Sequence, residues 1–293
     1  AYAECVRSAL GAAGLAAFEV RAVGAHGQTV RHRPDVGFTV QLNAPAHLAE
    51  AIGIDVIADF RSRDLAAGGQ GAPLVAAFHA AAFGADAPRA VVNVGGISNI
   101  TFLPGQTQST LGFDCGPGNV LLDLNAARHL GTAMDRDGKL AQQGRTDGAV
   151  LSQLLSDPFF AKPPPKSTGR ELFSAAWIDA ATRENCPPAD LQRTLIELTA
   201  RTIGDAIERW CGSAVDVIAC GGGARNPVLM RAIAAAIAPR ALRASDEFGI
   251  PSDQVEALAF AWLARCFVRR EPGAVPEVTG ARGRRVLGAL YPA

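Results

Sequence analysis

Three glycine-rich turns, each set directly behind an apolar run, constrain this chain more than any other feature. They are Gly95-Gly96 after Ala90 to Val94, Gly116-Pro117-Gly118 after a short run ending at Phe113, and Gly221-Gly222-Gly223 after Val215 to Cys220. Glycine at a strand end lets backbone N–H groups approach an anion closely, and a helix starting there adds its dipole. Any one of these reads equally as a plain tight turn. Three of them at C-terminal strand ends point to a nucleotide cleft in an α/β protein. The P-loop pattern is absent, because neither Lys139 nor Lys166 stands in Gly-x4-Gly-Lys-Ser/Thr. A full GxGxxG is absent too, because Asn226 stands where Gly221-x-Gly223-x-x would need its last glycine.

The surrounding pattern agrees with α/β architecture and a mixed sheet. Residues 90–125 read strand, strand, strand, helix, with Asp114 to Asn119 as a loop, Asn119 as the helix cap and Gly131 as its stop. Leu191, Leu195, Leu198, Ile203, Ile207 and Trp210 recur near the helical period. A strand from Val215 to Cys220 follows, then a helix with Asn226 as N-cap and Pro227 in its first turn. Earlier, strands are expected at Phe18 to Val23, Phe38 to Leu42 and Ile54 to Ala58, with helices near Ala46 to Ile52 and Leu74 to Phe83. A last long helix is expected from about Ser252 to Arg270, and Pro163-Pro164-Pro165 marks a loop.

Composition narrows the function classes. With 293 residues, 48% of them apolar, the chain can bury a sizeable core in one or two domains. Its 28 Lys plus Arg balance 28 Asp plus Glu, which argues against bulk electrostatic binding to nucleic acid or an anionic membrane. The six cysteines form no CxxC and no zinc-type spacing, a pattern that fits a reducing compartment. No apolar run reaches the roughly 18 residues of a membrane span.

Several polar residues stand where chemistry could be done. Asp114, at a strand end beside glycines, could take a proton from water or a hydroxyl, or simply form an Asx turn. Arg61, Arg63 and Asp64 could clamp an anionic substrate, or be a solvated charge cluster. His26 and Gln28 could bond sugar hydroxyls, or cap their own turn. Asp135-x-Asp137-Gly138 lacks the remaining ligands of a calcium loop and reads as a turn. Lys166 to Arg170 suits a substrate-facing loop.

Long stretches of the sequence resemble the anhydro-N-acetylmuramic acid kinase family. They include Gly24 to His32, Ile57 to Asp64, Ala67 to Pro73, Asn93 to Asn99, Gly112 to Asn119, Lys166 to Glu171, Cys220 to Asn226 and Leu287 to Pro292. The resemblance implies an α/β fold of two ribonuclease-H-like lobes of the actin/Hsp70/sugar-kinase type, with the first lobe incomplete. It divides the chain at 1–73, 74–270 and a 271–293 tail. It implies an enzyme that opens the 1,6-anhydro ring of anhydro-N-acetylmuramic acid by hydrolysis and phosphorylates O6 with ATP and Mg²⁺. The setting would be peptidoglycan recycling in the bacterial cytoplasm, without nucleic acid or membrane, with a homodimer as a candidate assembly. Asp114 would be the general base. Arg63 and Asp64 would hold the sugar, with His26, Gln28 and Glu256 near it. Gly95 and Gly96 would face the phosphates and Gly221, Gly222 and Gly223 the adenosine. Asn99, Gly116 and Asn226 would complete the nucleotide site, and no protein metal ligand is assigned.

Two departures accompany the resemblance. The family's N-terminal Gly-Thr-Ser-x-Asp-Gly phosphate loop does not occur in this sequence. The chain is therefore expected to start roughly 70–80 residues late for a two-lobe kinase and to be catalytically impaired as it stands. Leu42-Asn43-Ala44-Pro45 replaces the usual Gly-Asn-Pro, and Ala76 a usual proline. Two rivals remain: an ATP-independent glycoside hydrolase using Asp114, and a sugar- or nucleotide-binding homologue without turnover.

Overall fold

The computed structural model describes residues 1–105, 109–182 and 186–293. Contacts divide them into two units, residues 1–82 with 256–293, and residues 83–255. In chain order the first unit opens with α1 (Tyr2–Ala13), β1 (Val23–Gly24), β2 (Gln28–Arg33), β3 (Phe38–Leu42), α2 (Pro45–Ile52), β4 (Val56–Ala58), α3 (Ser62–Ala66) and α4 (Val75–Phe83). The second holds β5 (Arg89–Val94), β6 (Ile97–Leu103), β7 (Leu111–Pro117), α5 (Val120–Leu130), α6 (Gly148–Leu155), α7 (Pro158–Ala161), α8 (Ala175–Ala181), α9 (Pro188–Trp210), β8 (Asp216–Cys220), α10 (Pro227–Ala236) and β9 (Ala241–Ala244). The chain then returns to the first unit with α11 (Val255–Arg269), α12 (Pro276–Thr279) and β10 (Ala289–Tyr291).

The second unit is built on a five-stranded sheet of order β7-β6-β5-β8-β9. Strands β5, β6 and β7 form an antiparallel meander, while β8 and β9 run parallel to β5. This is the ribonuclease-H-like arrangement expected for the second lobe. Val92, Val94, Ile100 and Phe113 share a core with Leu195, Leu198 and Ile203 of α9. The apolar spacing that predicts this helix is the spacing of the residues it buries.

The first unit has a three-stranded sheet, with β4 between parallel β1 and antiparallel β10. Among the described residues the outer edge of β1 pairs with no strand, so the ribonuclease-H-like order is incomplete here. The C-terminal residues do not form a separate tail. Ile57 and Phe60 pack with Phe260 and Leu263 of α11 and with Leu287, and β10 adds a strand beside β4. That burial is why 256–270, expected in the 74–270 lobe, and 271–293, expected as a tail, both group with the first unit.

Three local expectations change. The strand expected from Phe18 is mostly a short turn of 3-10 helix at Ala17–Glu19, and only Val23–Gly24 pair. Strand β7 does not stop at Phe113 but runs on to Pro117. Its register slips against β6, with Asn99 opposite Asp114 and Ser98 opposite Gly116, so Cys115 is the extra residue of a β-bulge. Asn119 does not cap α5: its amide donates to the Val94 and Gly95 carbonyls, each at 3.0 Å. The caps at Gly131 and Asn226 are as expected.

Helices α9 and α10 meet at Gly204. A methyl carbon there would lie 2.8 Å from the Ala236 carbonyl oxygen and 3.0 Å from its Cβ. Alanine gains about 1 kcal/mol of helix propensity over glycine, but forced packing costs about 1–3 kcal/mol. Gly204→Ala is therefore expected to lower unfolding stability by roughly 1 kcal/mol or more. A urea titration showing stabilisation would refute the close packing.

Candidate active site

Strand ends of the second unit bring polar groups into one row. Asp114 on β7 sits opposite Asn99 on β6, Asn99 opposite Asn93 on β5, and Asn93 opposite Cys220 on β8. Cross-strand partners share a face of a sheet, so this row lies side by side. It sits at the C-terminal ends of β5 and β8, two residues before Gly95 and one before Gly221. The Asn99 Oδ1 atom is buried and has no hydrogen-bond partner among the described residues. A buried acceptor left unsatisfied is costly, and it is a site where a ligand or water donor is favoured.

Asp114 is held by a strap running along the outer edge of β7. Its N–H donates to the Lys166 carbonyl at 3.0 Å, and the Thr168 N–H donates to its Oδ2 at 2.9 Å. Burial pushes its pKa up from 3.8 to about 6; the Thr168 bond opposes this, Glu171 adds to it and Lys166 opposes it. At neutral pH such a carboxylate is ionised yet basic enough to accept a proton.

The glycine turns differ in what they offer. Gly96 and Gly222 are exposed, and an added methyl at either would touch nothing within 4 Å, while the Gly96 carbonyl accepts the Gly118 and Val120 N–H groups at 2.9 and 3.0 Å. Gly95 is half-buried, and its carbonyl receives the Asn119 N–H at 2.8 Å. Gly221 has φ 84° and packs on the Asn93 side chain and the Val94 carbonyl, which no larger residue could do. Its N–H donates to the Ser252 carbonyl at 2.8 Å. Gly223 is buried against Val94. Gly116 is buried too, and its Cα faces Thr202 of α9, which marks it as a packing glycine of the sheet. Asn226 uses Oδ1 to cap α10, accepting from the Val228 and Leu229 N–H groups at 3.0 and 3.2 Å.

The residues expected to hold sugar lie in the first unit. There Arg61, absent from the expected sugar-holding set, is the hub. Its Nε donates to His26 Nε2 at 2.9 Å and its Nη1 to the Gly71 carbonyl at 2.6 Å, with Glu256 and Asp64 as its charged neighbours. Arginine only donates, so His26 must accept at Nε2 and is therefore neutral. Burial, then the Arg61 charge, lower the His26 pKa to about 4. The imidazole ring lies 4.3 Å from the Phe260 ring. His26 also lines a polar cavity of about 270 Å³ with Thr39, Gln41, Asn43, Asp59 and Tyr291.

Asp64 is fully buried, accepting at Oδ2 from the Gly71 N–H at 2.7 Å and at Oδ1 from the Thr279 hydroxyl at 2.8 Å. A side chain at Gly69 would collide with that carboxylate. Asp64 thus binds the Gly68–Gly71 loop to α12. Arg63, Gln28 and Glu256 are exposed, and Gln28 reaches only the adjacent Thr29 carbonyl, at 3.4 Å. The sequence groups Arg61 with Arg63 and Asp64 as an anion clamp or a solvated cluster, without its partners. What makes it a hub is its bonds to His26 and Gly71 together with the nearby charge of Glu256, groups drawn from separate segments of the chain.

A ribonuclease-H-like sheet with exposed glycine turns and a poised carboxylate at its strand ends defines an α/β protein with the features of a nucleotide site. A family model described as Anhydro-N-acetylmuramic acid kinase matches residues 1–293. A curated protein of that name from Ralstonia nicotianae is 55% identical over 304 residues, covering 100% of this chain and 80% of the relative. Another from Bordetella pertussis is 56% identical over 298 residues, covering 100% of this chain and 78% of the relative. The chain belongs to the anhydro-N-acetylmuramic acid kinase family and is a kinase. Among solved structures, a xylulose kinase from Lactobacillus acidophilus matches with TM-score 0.43 and 14% identity, over 86% of this chain and 53% of its own. That likeness is too loose to position any residue. Among the described residues no helix is long and apolar enough to cross a membrane.

Replacing Arg61 by Met removes both the donor to His26 Nε2 and the nearby positive charge. Each of these holds the ring neutral, so the His26 pKa should rise from about 4 while burial keeps it below 6.5. An NMR titration of the ring protons tests this, and an unmoved midpoint would remove Arg61 from control of His26.

Proposed function

We propose that this chain opens the 1,6-anhydro ring of anhydro-N-acetylmuramic acid with water and phosphorylates the freed O6. The observation that carries the reading is Asp114, whose carboxylate is gripped by the Thr168 N–H and lifted to about 6. It would take a proton from the water that attacks the anomeric carbon, from the face opposite the leaving O6, as the base of an inverting glycosidase does. ATP with Mg²⁺ supplies the phosphoryl group when bound.

The residues present fit a nucleotide. Gly96 and Gly222 are exposed with free space beside their Cα atoms, Gly95 and Gly221 flank them, and the buried Asn99 Oδ1 has no partner among the described residues. Among the described residues no three His, Cys, Asp or Glu side chains converge as a metal cage. Magnesium on a nucleotide rests mainly on phosphate oxygens and water with one or two carboxylates, so such a cage is not required. On the sugar side, neutral His26 and its polar cavity suit hydroxyl groups. Exposed Arg63 and Glu256 can reach a ligand, while Asp64 acts by holding the Gly68–Gly71 loop. We assign the reaction to recycling of peptidoglycan-derived amino sugar in the bacterial cytoplasm.

The pH dependence follows from the sign of the shift. A base must be ionised, so kcat is expected to rise with pH through about 6 and level off above it. Burial favours the neutral acid in the folded state. Stability from this group is therefore lost as pH rises from about 4 through 6, on the order of 2–3 kcal/mol by pH 7. Asp114→Asn keeps an acceptor for the Thr168 N–H and loses the charge. It should raise Tm at neutral pH while cutting turnover by roughly 10²–10⁴-fold. Full activity in this variant, assayed as ATP-dependent formation of the 6-phosphate, would end the assignment. Sugar cleavage without ATP would favour the hydrolase reading.

A further inference from the structure

Strand β7 is an edge strand, and what covers its outer side near Asp114 is an irregular strap rather than another strand. Two bonds attach the strap: Asp114 N–H to the Lys166 carbonyl at 3.0 Å, and Thr168 N–H to Asp114 Oδ2 at 2.9 Å. The segment follows three prolines and includes exposed Ser167, so its own backbone does little to fix it. The Lys166 side chain supplies a third attachment. Its Nζ donates to the carbonyls of Phe159 and Phe160 at 3.1 and 3.3 Å and lies 4.7 Å from the Phe159 ring centre.

Those carbonyls belong to α7, whose last turn has few intrahelical donors; the Phe159 carbonyl also accepts the Lys162 N–H at 3.2 Å. Helix α7 is itself firmly set. Phe159, Phe160 and Phe173 contact one another at ring distances of 5.8 to 5.9 Å. Asp157 caps the helix and accepts the Trp177 indole N–H at 2.8 Å. Among the described residues Lys166 makes no ion pair with a carboxylate. Its ammonium is used as a plug for helix carbonyls.

We infer that Lys166 is a positioning residue: by anchoring the strap to α7, it keeps the Thr168 N–H fixed on the Asp114 carboxylate. This deepens the role proposed for Asp114 and rests on it. The charged groups around the pair are Glu171 beside Asp114, and Lys162 and Arg209 beside Lys166. Glu171 is exposed and opposes ionisation of Asp114, the strap bond favours the carboxylate most and the Lys166 charge adds to it directly, and the Cys115 thiol also faces Lys166.

Carbon-13 labelling of aspartate, with Asp114→Asn for assignment, gives the Asp114 titration directly. Amide exchange gives the state of the Thr168 N–H. In Lys166→Met, the Asp114 midpoint should rise by about one unit and Thr168 exchange should speed roughly tenfold. The kcat should fall about tenfold with the sugar KM little changed. Lys166→Arg, which keeps the charge and the donors, should restore all three. Lys162→Met, which removes an exposed cation beside Lys166, should leave them unmoved. Should the Met variant not fold, Lys166→Gln is read by the same signals, with smaller changes in the same direction. Because the Lys166 charge also favours the Asp114 carboxylate directly, unchanged Thr168 exchange in Lys166→Met or Lys166→Gln would overturn the inference, whatever the midpoint and the rates do. Were Asp114 not the base, Asp114→Asn would stay active while Lys166→Met still moved both NMR signals.

Discussion

The hydrogen bond from the Thr168 N–H to the Asp114 carboxylate is the contact on which the candidate site depends. Burial at the sheet's end works against the charge on Asp114, and this bond, helped by the Lys166 charge, works for it. Burial wins by about two pKa units, which leaves a group that is ionised at neutral pH but not inert. A carboxylate more exposed to water would be a weaker base. One without the bond would tend to stay protonated. The bulge at Cys115 aligns Asp114 with Asn99 and lets β7 run on to Pro117. The strap then covers the strand edge that the bulge leaves open.

The first unit solves the opposite problem. There a buried charge is not kept reactive but neutralised by partners. Asp64 accepts from Gly71 and Thr279, and Arg61 donates to His26 and Gly71. Neither group could be buried without those bonds, because an unpaired charge away from water is very costly. The result is a rigid connection between α3, the Gly68–Gly71 loop and α12. It also fixes His26 as a neutral ring facing a polar cavity, which suits it to hydroxyl groups better than to proton transfer near pH 7.

Much of this was legible in the sequence. The long period of α9, the Asn226-Pro227 start of α10 and the Gly131 stop of α5 all follow from local chemistry, and the structure has them. Asp114 stood out because glycines surround it. What sequence alone could not supply was partner identity. Asn119 looks like a helix cap but bonds the β5–β6 turn instead, because the two loops approach each other in space. Asp64 looks like a ligand-binding acid, yet its partner Thr279 lies 215 residues away. Gly116 looks like a phosphate-binding glycine, yet it faces Thr202 of α9.

The sequence by itself determined the α/β class, the family and the turn glycines, because these depend on periodicity, capping and backbone freedom within a few residues. The tertiary structure decided which polar groups are tools and which are fastenings. That choice depends on burial and on donors brought in from distant segments. Neither is encoded near the residue concerned, so Asp114 and Asp64 can look alike in the chain and behave oppositely in the fold.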